Sequence, residues 1–274
     1  MLSFERPRIM AIINATPDSF HADSRVGAVT EAVKAAERMI SEGADILDVG
    51  GQSTRPGAKQ VGSSIESARV VPVIEAIRSR WPDIPISIDT YHAEVAQKAL
   101  DAGAALVNDI SGATLDPGMP PLLADRQAPC ILMHMQGTPE TMQDLPAYGN
   151  VAKEVHGFLQ ERLDTLQRQG IRHIALDPGF GFGKTLEHNY RLLEALPSLT
   201  ATGTPIVVGV SRKSMINKVL GCSPEEALNG TSILHAWALD RGAHILRVHD
   251  VAEAVECVKL HTVLKAARKG IEHD

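Results

Sequence analysis

IALDPGFGFGK, residues 174–184, opens as an apolar run of strand length and then breaks into an acid, a proline and three glycines before Lys184. Five further runs end in the same manner: SIDT (Ser87–Thr90), LVNDIS (Leu106–Ser111), ILMHMQ (Ile131–Gln136), VVGVSRKS (Val207–Ser214) and ILRVHD (Ile245–Asp250). Each is followed by a segment that reads as helix, which places the polar clusters at the ends of parallel strands. In a closed parallel barrel those ends meet at one mouth, the usual place for an active site.

Counted along the whole chain, apolar runs near 8–13, 45–49, 85–88, 104–107, 130–133, 173–176, 205–210 and 244–248 predict eight strands. Helical spacing recurs between them, at Val29, Val33, Ala36 and Ile40, at Val70, Val73, Ile74 and Ile77, and at Val155, Phe158, Leu159, Leu163 and Leu166. Val251, Val255 and Val258 mark a last helix, and no Pro/Gly/Ser linker interrupts the alternation. The expected fold is α/β, a single (β/α)8 TIM barrel domain over residues 1–274. The length of 274 residues agrees with the roughly 250 typical of that fold.

Composition narrows the function. With 44% hydrophobic and 22% charged residues the chain can bury a large core. A net charge of -6 without a Lys/Arg block gives no footprint for nucleic acid. The first residues carry neither a long apolar segment nor a signal-peptide pattern, so a cytoplasmic protein without a membrane span is expected. Cys130, Cys222 and Cys257 are odd in number and far apart, as unpaired thiols in a reducing compartment would be. The loops 14–27 and 50–63 are long and rich in small polar residues, which makes them candidate lids over the mouth.

Asp89, Asn108 and Asp177 end three of the predicted strands. Two carboxylates and a carboxamide in one pocket suit a flat heterocycle that offers several N–H donors and a carbonyl. Each alone could instead cap the following helix. The run 179–185 fails as a P-loop, because the glycine that motif needs falls on Pro178. Its glycines are read instead as letting backbone pass close to a ligand, with Phe182 offering a ring to stack on it, while Phe180 is as much core as ligand. Arg212, Lys213, Arg247 and His249, with Ser211, Ser214 and a helix start after Lys213, gather cations where barrels often bind phosphate. Thr54 and Arg55 could join them. Asn14 and Asp18 are candidate oxygen ligands for Mg2+, which takes few protein ligands when phosphate supplies the rest.

INATPDSF (13–20), DVGGQSTRPGA (48–58), SIDT, NDISG, LMHMQGTPETMQ, LDPGFGFGK, VGVSRKSMI and RVHDV, in this order over nearly the full length, resemble the dihydropteroate synthase family. That resemblance implies a pterin-binding (β/α)8 barrel acting as an alkyl transferase. It would join 6-hydroxymethyl-7,8-dihydropterin diphosphate to 4-aminobenzoate in folate synthesis, with Mg2+ and as a homodimer. It also implies that Asp89, Asn108, Asp177 and Lys213 hold the pterin. Asn14, Thr54, Arg55, Arg247 and His249 would serve diphosphate and Mg2+, and Phe20, Pro56, Phe182, Lys213 and Ser214 would frame the aminobenzoate. Asp89, Asp177, Lys213, Arg247 and His249 would carry the catalysis. The chain departs from the family pattern at Ala11 (commonly Gly), Gln52 (commonly Glu) and His21-Ala22-Asp23-Ser24 (often Ser-Asp-Gly-Gly). Two other readings keep the barrel: a pterin-binding methyltransferase, which needs no Thr54-Arg55, Lys213 and Arg247/His249 anion set, and a non-catalytic pterin-binding paralogue.

Overall fold

The computed structural model describes residues 4–15, 25–52, 60–138, 141–142 and 146–271. Its strands are β1 (Arg8–Asn14), β2 (Ile46–Gly50), β3 (Ile86–Asp89), β4 (Leu106–Asp109), β5 (Cys130–Met133), β6 (Ile174–Asp177), β7 (Val207–Val208) and β8 (Ile245–Val248). All pair in parallel, in the order β6-β5-β4-β3-β2-β1-β8-β7. A parallel bridge from Leu176 to Ile206 joins the two ends of that order and closes the barrel. Closure leaves no free strand edge among the described strands.

The alternation of side chains along a strand explains both the core and the site. One set of strand residues, including Ile9, Ala11, Leu47, Val49, Ile86, Ile88, Val107, Leu132, Leu176, Val208 and Leu246, packs with the helices in the main core. The alternate set forms a separate apolar cluster of Met10, Ile46, Leu106, Ile131, Ala175, Val207 and Ile245 inside the barrel. Two residues further along, the same inward positions become Asp48, Asn108, Met133, Asp177 and Arg247. The interior is therefore apolar at its base and charged near the C-terminal ends of the strands.

The connecting helices are α1 (Arg25–Glu42), α2 (Ser63–Arg80), α3 (Ala93–Asp101), α4 (Met119–Arg126), α5 (Val151–Arg168), α6 (Leu186–Glu194), α7 (Leu196–Thr200), α8 (Ser214–Leu220), α9 (Leu228–Asp240) and α10 (Val251–Ile271). Two connections hold two helices each instead of the single one that strict alternation predicts. Pro197, near the start of α7, breaks the first of these. Gly221, at φ +64°, terminates α8 in the left-handed conformation and so divides the second. Strand β7 is also shorter than the apolar run 205–210, because Pro205 has no N–H for a ladder and residues 209–213 turn toward α8.

Candidate active site

Arg247 sits at the centre of the charged layer. Its Nε donates to Asp48 Oδ2 at 2.6 Å and its Nη2 to Asp89 Oδ2 at 2.6 Å. Asn108 Nδ2 donates to the same Asp48 oxygen at 3.1 Å. Register brings these groups together, since Gly50 pairs with Asp89 and Asp89 with Asn108 across β2, β3 and β4. Burial raises the Asp89 pKa to about 7; Arg247 opposes the rise, and Asp48, Asp109 and Asp177 add to it. Burial also disfavours charge on Arg247, but Asp48 and Asp89 outweigh it and hold the guanidinium above its ordinary range.

Asp177 lies on the opposite wall. Its Oδ1 accepts from Gly179 N at 2.7 Å, and burial raises its pKa against the pull of Lys213. Lys213 donates to Phe180 O and stands 4.6 Å over the Phe182 ring, a cation–π contact. Burial lowers its pKa to about 8, against the effect of Asp177. Ser214 begins α8 with Lys213 as its cap residue. At the rim, Ser211 Oγ and His249 Nδ1 are 3.0 Å apart, and His249 N donates to the same hydroxyl at 3.2 Å. The His249 side chain reaches solvent, yet dehydration of its ring and the nearby Arg247 depress its pKa.

One expectation changes. Arg212 does not join an anion site. Its guanidinium forks onto Asp250 at 2.8 and 2.7 Å and reaches the carbonyls of Pro224 and Glu225, fastening the β7–α8 turn to the start of α10. Two nitrogens of Arg247 bind carboxylates in the floor of the site. Asp48 is the residue that the sequence reading missed. Its signal is an acid at an inward position of the otherwise apolar strand ILDVG, and it is wholly buried. Phe180 is wholly buried and belongs to the core. Asn14 ends β1 with its side chain exposed at the mouth. Asp18, Phe20, Thr54, Arg55, Pro56 and the departures at 21–24 lie outside the described residues. Ala11 is buried in the core, and Gln52 donates to Tyr91 Oη at 2.8 Å and accepts from Val61 N at 3.4 Å.

Behind the site, Glu66 of α2 is 1% exposed, and its Oε2 lies 3.9 Å from His92 Nε2 with neither atom hydrogen-bonded. Burial raises the Glu66 pKa from 4.5 to about 7, opposed by a hydrogen bond from Thr90. The unfolded chain then loses its proton at lower pH than the folded one. Stability therefore falls as pH rises from 4.5 to 7, and the penalty persists above that. Glu66→Gln is expected to leave stability unchanged at pH 4 and to raise it by about 2 kcal/mol at pH 8. Urea unfolding at the two pH values checks this; an equal effect at both would remove Glu66 as the source.

The geometry thus offers a buried acid–amide–cation floor and a rim of hydroxyl and imidazole. A family model described as pterin binding enzyme matches residues 10–249. A relative from Synechocystis sp. named dihydropteroate synthase is 45% identical, over 95% of this chain and 91% of its own length. The chain belongs to the dihydropteroate synthase family of pterin-binding enzymes. A solved dihydropteroate synthase of Xanthomonas albilineans with 4-aminobenzoic acid superposes with a TM-score of 0.90 at 42% identity, covering 97% of this chain and 95% of that one. That of Burkholderia cenocepacia, complexed with 7,8-dihydropteroate, gives 0.88 at 44% identity, covering 98% and 95%. Among the described residues of this family member, no helix is long and apolar enough to cross a membrane.

Proposed function

We propose that this chain has dihydropteroate synthase activity and that the reaction proceeds by cleavage of the C–O bond to diphosphate before the amine attacks. The observation that carries the reading is the convergence of Asp89, Asn108 and Asp177 on one layer with Lys213 and Arg247. A dihydropterin presents N–H groups to the two carboxylates and a carbonyl to Lys213. As the bond breaks, positive charge spreads from the exocyclic methylene into the ring, and Asp177 and Asp89 stabilise it in a poorly hydrated site. His249, neutral in the free protein, gains a proton more readily as diphosphate charge builds beside it. The arylamine nitrogen then bonds to the methylene carbon without an activated nucleophile and gives up one proton to the departed diphosphate or to water, so a covalent triad is not required.

Mg2+ fits this site as a partial shell. Among the described residues no group of three or more His, Cys, Asp or Glu could cage a metal, while Asn14 offers one amide oxygen at the mouth and diphosphate would supply others. Bound there, Mg2+ would neutralise leaving-group charge. The test is diphosphate release from the two substrates with and without excess chelator. No release with Mg2+ present would refute the activity, and release undiminished by chelator would remove the metal.

Asp177→Asn is expected to weaken pterin binding by about one to two powers of ten. A charge-assisted hydrogen bond contributes roughly 1.5–3 kcal/mol. Calorimetry with 6-hydroxymethyl-7,8-dihydropterin checks it, and parental affinity would take Asp177 out of the site.

A homodimer is proposed on the apolar side chains that α8, α9 and α10 leave exposed: Val219, Leu220, Ile233, Trp237, Leu260 and Val263. Leu260 is 73% and Val263 70% exposed, more than a monomer's surface needs. Leu260→Glu should leave the fold intact and weaken dimers at least about tenfold; sedimentation showing the parent chain monomeric at micromolar concentration would end the proposal. A cytoplasmic location is proposed from the thiols, Cys130, Cys222 and Cys257, none of them in a disulfide.

A further inference from the structure

We infer that Lys184 is a positioning residue for the pterin-binding carboxylate Asp177, which it fixes by gathering the carbonyl oxygens of the β6–α6 loop. Lys184 is 5% exposed and does not reach the mouth. Its Nζ donates to Gly179 O at 2.8 Å and Phe182 O at 2.9 Å, and lies 3.1 Å from His134 Nδ1 at the end of β5. Burial and the neighbouring Lys184 lower the His134 pKa to about 3, and in the tautomer protonated at Nε2 its Nδ1 accepts from Lys184. One buried amino group, whose pKa burial lowers to about 7 against the effect of Asp177, thus ties both ends of the Gly179–Phe182 turn to the neighbouring strand.

The turn in turn shapes the site. Gly179 N donates to Asp177 Oδ1 at 2.7 Å and so sets the rotation of that carboxylate. Phe182 presents its ring under Lys213, whose own amino group also donates to Phe180 O. The loop is held between two lysines, one that can touch substrate and one that cannot. Without Lys184 the Phe182 carbonyl would be left short of a donor in a dry interior and Gly179 O would keep only the backbone bond from Phe182 N, so the turn would relax away from Asp177. The rim groups Asn14, Ser211 and His249 share no hydrogen bond with Lys184, so its influence should fall on the pterin half of the site alone.

This inference rests on the proposed activity, which turnover by the parent protein tests separately. The full-length parent and Lys184→Met are compared by calorimetry with two probes, 6-hydroxymethyl-7,8-dihydropterin and inorganic pyrophosphate with Mg2+. The dihydropterin is expected to bind at least about tenfold more weakly to the variant, with pyrophosphate within about twofold of the parent. Should Lys184→Met fail to fold, Lys184→Gln keeps a donor in the turn and is expected to show the same separation. Parental dihydropterin affinity, equal weakening of both probes, or failure of both variants to fold would each overturn the positioning role, the last two in favour of a general structural one.

Discussion

Arg247→Ala is expected to lower stability at pH 8 by about 3–5 kcal/mol and turnover by about 10²–10³, the largest combined effect of any substitution in the charged layer. The guanidinium is the shared partner of Asp48, which is wholly buried, and of Asp89. Removing it leaves two carboxylates facing each other in a poorly hydrated interior, with Asn108 as the remaining donor to Asp48. The Asp89 pKa must rise further above the unfolded value near 3.9. The folded variant then holds protons that the unfolded chain has released, so its stability declines more steeply than the parent's as pH increases. The gap between variant and parent should narrow toward pH 5, where the carboxyls can be protonated. Arg247→Lys keeps the charge but supplies a compact ammonium instead of a fork, so it should recover part of the stability and little of the turnover. Denaturant unfolding at pH 5 and 8, paired with diphosphate release, separates these effects. A variant as stable as its parent at pH 8 would mean that water or a rearranged side chain neutralises the pair.

The barrel was legible because strand and helix periods differ and because eight apolar runs each ended in polar residues. Asp89, Asn108 and Asp177 were legible as strand-end acids and amide. Asp48 was not, since a carboxylate inside an apolar strand looks like an interruption until register places it beside Arg247. Arg212 and Arg247 show what residue type leaves out. Their types suit anion binding, but type does not say which partner a long side chain reaches first. Arg212 finds Asp250, and Arg247 finds two acids on strands nearly two hundred and about one hundred and sixty residues away in sequence. Such pairing is tertiary, and no local spacing encodes it.

Lys184 illustrates a second limit. Its place after three alternating glycines first invites a phosphate-binding reading, and counting residues excludes that without supplying an alternative. The structure does so through the carbonyls it gathers. The departure at Gln52 also acquires a local meaning. With an amide in place of a carboxylate, the group donates to Tyr91 and accepts from Val61, spanning the two sides of the 53–59 segment without adding a buried charge near Glu66 and Asp89.

The glycines of the same run are read from sequence as making room for a ligand, but Gly179 makes room for protein. Its φ is +71°, and a Cβ built there would stand 1.9 Å from the backbone oxygen of His134. A backbone oxygen cannot swing aside as a side-chain terminus can, so the β6–α6 turn or the end of β5 must move by about 1.5 Å to restore ordinary contact. Movement is resisted on three sides: Lys184 holds Gly179 O, Lys213 holds Phe180 O, and Asn189 accepts from Gly181 N at 2.6 Å. Gly179→Ala is therefore expected to cost about 4 kcal/mol or more, the left-handed conformation contributing roughly 1–2 kcal/mol of it and the clash the rest. Because Gly179 N also orients Asp177, dihydropterin binding should be lost even under conditions where the variant is folded. Gly203→Ala supplies the control: φ there is +73°, and a Cβ would meet nothing within 4 Å. It carries the conformational cost without the collision and lies away from the site, so it should lower stability by about 1–2 kcal/mol and leave dihydropterin affinity unchanged. Denaturant unfolding of the two variants isolates the close approach as their difference. Equal losses would show that the turn can yield, and with it the rigid placement of Asp177 that the proposed pterin site requires.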